Sequence, residues 1–96
     1  MAEITVTIQG GTISIPSNQQ KVQVSISGKQ VMTWICRQQT FTITPKPGSS
    51  FTAPTTDQTG NVWKAQLGPF TTQGSLFYNI SAPGATTLDP EIEVVP

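Results

Sequence analysis

β-branched residues dominate this chain: 15 Thr, 9 Ile and 7 Val make up 31 of its 96 residues, against 3 Leu and 5 Ala. Such side chains are stiff at χ1 and pack well on a pleated surface. Eight Pro and eight Gly are scattered between the β-rich runs, so a helix of about ten residues or more is not expected. The chain reads as all-β.

Period-2 alternation locates the strands. Ile4, Val6 and Ile8 alternate with Thr5 and Thr7, and Ile13 and Ile15 follow after Gly10-Gly11. Two readings of the glycine pair stay open. In a two-residue hairpin Ile8 faces Ile13 and Val6 faces Ile15; otherwise a single edge strand kinks there and crosses between sheets. Ser17-Asn18-Gln19-Gln20 reads as a turn. Val22, Val24 and Ile26 form the next apolar face, then Met32, Trp34 and Cys36, then Phe41 and Ile43. Residues 45–60 read as a long Pro/Ser/Thr/Gly connection anchored by Phe51. Trp63, Ala65 and Leu67 face inward on the following strand, and Phe70 plugs one end of the core. Leu76, Tyr78, Ile80 and Ala82 come next, Pro83 to Pro90 is a loop, and Ile92 and Val94 close the last strand. About seven strands, each with one apolar face, are satisfied by an antiparallel two-sheet sandwich with immunoglobulin-like architecture; a closed barrel is the rival. Residues 1–96 are expected to form a single domain.

The inventory of reactive groups narrows the function. Histidine is absent, which removes the usual base near neutral pH and the Ser–His and Cys–His nucleophile pairs. The single cysteine, Cys36, allows no internal disulfide and no thiolate metal cluster; in its apolar run it is expected to be buried and inert. Glu91 and Glu93 share a strand face at roughly 6.5–7 Å, a spacing that also suits a glycosidase pair, but a solvated face near the end of so small a chain explains them better. Asp57 and Asp89 fall in separate loops, without the convergence of carboxylates that calcium sites use. No catalytic residue, metal site or cofactor is expected. Five Lys+Arg balance five Asp+Glu, so the electrostatic footprint of a nucleic-acid binder is missing. No apolar run approaches the ~20 residues that span a bilayer, so no membrane insertion is expected. Met1-Ala2-Glu3 has neither the basic nor the apolar region of a signal peptide. The location expected is therefore the cytoplasm or a phage-like particle, or the cell surface if a larger secreted parent was trimmed.

The segment Gly60-Asn61-Val62-Trp63-Lys64-Ala65-Gln66-Leu67-Gly68-Pro69-Phe70, followed by Gly74 and by Leu76-Phe77-Tyr78-Asn79-Ile80-Ser81-Ala82, resembles the final strands of bacterial immunoglobulin-like or fibronectin-III-like modules. There a G-x-W-x-A-x-hydrophobic strand runs through a short turn into an x-Y-x-I-x-A strand. The likeness covers residues 60–95, and Trp34 on the third major strand suits it as well. The inter-sheet cysteine pair of antibody domains is missing. The resemblance implies a sandwich with Trp and Tyr in its core, and a role as spacer, adhesin, enzyme appendage or phage surface decoration, with no single function among them.

Three apolar residues, Ile35, Val62 and Phe77, are out of phase with their strands' inward faces and are the candidate binding residues, expected to gather in an exposed patch. Trp34, Trp63 and Tyr78 are in phase and belong to the core, the Tyr78 hydroxyl reaching a sheet end. Outward positions are mostly Thr, Ser and Gln, and sparsely charged edge strands favour edge-to-edge pairing. The expected function is a structural or adhesive module whose partners are other protein modules or its own copies. The alternative is a carbohydrate-binding module using outward aromatics, with polysaccharide as partner. Asn79-Ile80-Ser81 matches a glycosylation acceptor, which matters only in a eukaryotic secretory setting.

Overall fold

The computed structural model describes residues 2–49 and 51–96. Nine strands follow in order: β1 (Ala2–Gln9), β2 (Thr12–Ser14), β3 (Lys21–Ser25), β4 (Met32–Cys36), β5 (Thr42–Pro45), β6 (Asp57–Thr59), β7 (Val62–Leu67), β8 (Gly74–Ser81) and β9 (Glu91–Val95), with one 3₁₀ turn at Ser17–Gln19. Among the described residues there is no α-helix, and none long and apolar enough to cross a membrane. The strands form a five-stranded sheet, β2-β1-β4-β7-β6, and a four-stranded sheet, β3-β9-β8-β5.

The glycine pair makes the hairpin. Gly10 and Gly11 both have positive φ, 57° and 76°, as a two-residue loop matched to strand twist requires, and Ile8 stands opposite Ile13. The expected antiparallel sheets need correction: β1 runs parallel to β4, and β3 runs parallel to β9, so both sheets are mixed. Parallel neighbours need a long crossover. Here the chain leaves the first sheet after β2, lays down β3 in the second, and returns as β4 beside β1. Alternation tells which way a side chain faces, not which strand lies alongside, so this pairing left no mark in the local pattern. A second correction falls in residues 45–60, where β6 (Asp57-Gln58-Thr59) is exposed throughout and carries no apolar alternation to betray it.

The inward faces of the two sheets share one core. Ile4, Val6, Trp34 and Ala65 come from the first, and Val24, Ile43, Tyr78, Ile80, Ile92 and Val94 from the second. Trp34 and Tyr78 join them. Both are fully buried, their rings meet edge to face with centroids 5.3 Å apart, and Trp34 Nε1 donates to the Tyr78 hydroxyl at 3.1 Å. The hydroxyl therefore ends in the middle of the core, on a donor from the opposite sheet, and not at a sheet end. Trp63 is half-buried and packs against the same cluster. Cys36 is buried and free, its Sγ 3.4 Å from Gln38 Oε1.

Candidate binding surfaces

Ile35, Val62 and Phe77 do not form a patch. Ile35 lies on β4 and Val62 on β7, both in the five-stranded sheet, whereas Phe77 lies on β8 in the four-stranded one. All three face away from the core, so the whole thickness of the molecule separates the first two from the third. Ile35 is also buried, at 6% exposure. It sits in the middle of a rung running from Thr5 through Ile35 and Lys64 to Asp57. Beside it Gln66 Nε2 donates to Thr33 Oγ1 at 3.4 Å. The aliphatic stems of Lys64 and Gln66 are long enough to shelter the shorter side chains of a central strand. Phe77, at 45%, stays exposed opposite Glu91, a single exposed ring of an ordinary kind.

The charged groups are dispersed. Lys21 Nζ lies 3.9 Å from Glu91 and 3.7 Å from Glu93, and Gln23 Nε2 donates to Glu93 at 2.6 Å. The carboxylate pair is thus held by a lysine and an amide on the neighbouring strand. Lys46 pairs with Asp89 at 3.4 Å, while Asp57 opens β6 instead of lying in a loop. Among the described residues no three His, Cys, Asp or Glu converge as metal ligands do. Burial pushes the Tyr78 phenol up to about 12, partly offset by the hydrogen bond from Trp34. Asn79 lies on β8, half-buried, with Oδ1 buried and without a hydrogen-bond partner among the described residues.

Side chains cap parts of the sheet edges. Gln19 lies along β1, its Oε1 accepting from Thr5 N at 3.1 Å and its Nε2 donating to Glu3 O at 3.1 Å, as a neighbouring strand would. Gln30 does the same for β3, its Oε1 accepting from Ser25 N at 2.6 Å and its backbone N donating to Ser25 O. Beside β5, Thr56 Oγ1 donates to Phe41 O at 2.7 Å, and Pro45 supplies no N–H. Thr86 N reaches Gly11 O at the β1–β2 turn. Among the described residues no side chain plugs β6 in this way. Thr59 stands opposite Val62 around a two-residue loop, so Thr59 and Asp57 bond to β7 and the Gln58 peptide groups point outward. These plugs were invisible in the sequence, where the glutamines read only as a polar surface.

A cleft of ≈ 380 Å³ opens at one end of the molecule, where the connection after β5 meets the β7–β8 loop. Phe51, Leu67, Phe70 and Leu76 line it, each half-buried and packed against the core. Gly68 fixes Phe70: at φ 117° it takes a conformation closed to side chains, and a Cβ there would lie 3.2 Å from the ring. Phe70 thus plugs the core end, as expected, but its outer side forms part of the cleft.

No family model matches this chain, and no curated protein does. Among solved structures it is similar to a chain in the cryo-electron-microscopy structure of a heme-copper terminal oxidase dimer, with a TM-score of 0.51 at 9% identity. The match covers 97% of this chain and 63% of that one, so this chain spans less than two thirds of its structural neighbour. At that identity the likeness is one of fold alone.

Proposed function

We propose that this chain is a non-catalytic interaction module, an immunoglobulin-like sandwich serving as one domain of a larger surface or appendage assembly. The observation that supports it most is the composition of the end cleft, whose lining among the described residues contains no ionisable side chain: it offers a surface to hold a partner and no group to move a proton. The strand order supports the fold reading. Counting from β3, the second, fifth and fourth strands share one sheet (β4-β7-β6), and the third, sixth and seventh share the other (β9-β8-β5), as in immunoglobulin-type sandwiches; β3 itself departs, lying beside β9 where the first strand of that pattern belongs to the sheet of the second. Two further features depart from that pattern. The β1–β2 hairpin occupies the place beside β4, and the buried Trp34 lies on the second strand of the series, where antibody-type domains carry theirs on the third.

The partners are other protein modules, or further copies of this chain added at β6. Light scattering from micromolar to millimolar protein tests the second route. A mass that rises with concentration, and no longer rises in Gln58→Pro, supports it; a monomer at every concentration overturns it. The plugs make a companion test, because Gln19→Ala and Gln30→Ala expose backbone on β1 and β3 and are expected to raise association above wild type. The carbohydrate-binding reading is favoured by one observation: Phe51 and Phe70, both only half-buried, meet in the same cleft.

A further inference from the structure

We infer that the end cleft is a binding site for a neutral saccharide. This rests on the interaction-module reading and gives it a ligand and a place. Its volume, ≈ 380 Å³, falls near the lower end of the ~300–1,000 Å³ usual for small-molecule sites. Three features of the lining select the ligand. The floor is apolar, with two phenylalanine rings and two leucines held in place by the core beneath them. The rim is hydroxyl and amide, from Thr71, Thr72, Gln73 and Ser75, all exposed. The loop supplies more polar groups: among the described residues the Pro69–Gln73 backbone makes no hydrogen bond to other backbone, leaving N–H and C=O groups free for a ligand.

Each alternative chemistry leaves something unsatisfied. A charged ligand would lose water in a cleft that has no counter-charge, which is costly. A wholly apolar ligand would cover the rim hydroxyls and free peptide groups without bonding them, a cost of about 1–3 kcal/mol for each buried group. A pyranose ring has an apolar face to lie on the aromatic floor and a ring of hydroxyls to meet the rim. Phe77, the exposed aromatic on the opposite side of β8 from the core, has charged neighbours in place of a cleft: Glu91 stands opposite it and Lys46 N bonds its carbonyl.

The test uses the full chain, ¹⁵N-labelled, in amide-proton NMR titrations with cellohexaose, xylohexaose and mannohexaose, and with a galacturonic-acid oligomer as the charged probe. At least one neutral oligomer is expected to shift the amides of Leu67 to Leu76 and of Gly48, with a millimolar to micromolar Kd, and the charged oligomer to bind at least tenfold more weakly. Gln73→Ala, an exposed change that leaves the rest of the spectrum in place, is expected to weaken binding several-fold. Phe70→Ala is expected to abolish it, and its spectrum shows directly whether the fold survives. Silence with all neutral oligomers overturns the inference, as does equal binding of the charged oligomer or a response centred on Phe77. A proline-rich peptide shifting the same amides while every sugar is silent would replace the ligand class by a protein segment. None of these outcomes alters the concentration dependence that tests association through β6, so the two can fail separately.

Discussion

β4 and β8 are the two strands that meet through the Trp34–Tyr78 bond, yet they live in different surroundings. Every residue from Met32 to Cys36 is buried, whereas β8 buries Tyr78 and Ile80 and leaves Phe77 exposed. Both strands have two neighbours, so the ladder does not explain the difference. What differs is the outer face. β4 lies at the centre of a five-stranded sheet with the long Lys64 and Gln66 of β7 alongside its outer face, while Phe77 on β8 stands between Glu91 and Lys46, whose charged ends pair instead with Lys21 and Asp89. Out-of-phase apolar residues thus have opposite fates according to their neighbours across the sheet.

Substitutions on the four faces of β4 and β8 differ in their expected cost. Trp34→Ala removes the largest buried side chain and its bond to Tyr78, and is expected to cost about 3–5 kcal/mol in urea unfolding. That is a large share of the ~5–15 kcal/mol a domain commands. Ile35→Ala, on the outer face of β4, is expected to cost about 2 kcal/mol; a loss near zero would mean that Lys64 and Gln66 do not exclude water from that face. Tyr78→Phe leaves the Trp34 N–H buried without its acceptor, an expected cost of about 1–2 kcal/mol near neutral pH.

The same variant has a pH signature. The phenol ionises near 10 in the unfolded chain and at about 12 when folded, so its contribution is fully present below pH 10 and disappears as pH rises through 12. The loss expected is about 2–3 kcal/mol. Tyr78 is the sole tyrosine, so the difference between wild type and Tyr78→Phe isolates it: the wild type is the more stable below pH 10 and gives up that advantage above it. Phe77→Ala should change stability by no more than about 0.5 kcal/mol in either direction.

Much of the fold was legible because period-2 alternation survives wherever one face meets the core. Ile4, Val6, Trp34, Tyr78 and Ile92 all point inward, as their phase requires. The core position of Trp34 and Tyr78 followed from phase alone; their hydrogen bond did not, since it joins residues 44 apart on different sheets. The parallel pairings and β6 were hidden for related reasons. Strand neighbours are set by tertiary topology, and a three-residue strand polar on both faces has no period to read. The candidate patch failed because phase identifies an outward residue without saying which sheet it leaves or what covers it. The cleft was visible only as two separate aromatic residues in loops, Phe51 and Phe70, each read as an anchor for the core.

The most direct test of the contrast between β4 and β8 is thiol labelling of the native protein with a chromogenic disulfide, comparing Ile35→Cys and Phe77→Cys. The wild type supplies its own control, because Cys36 is buried and should react only on unfolding. The Phe77→Cys thiol is expected to react in the folded state at close to the rate of an exposed thiol, and the Ile35→Cys thiol only as the protein unfolds. Equal, rapid labelling of both in the folded state would contradict the account, because the outer face of β4 would then be as open to solvent as that of β8.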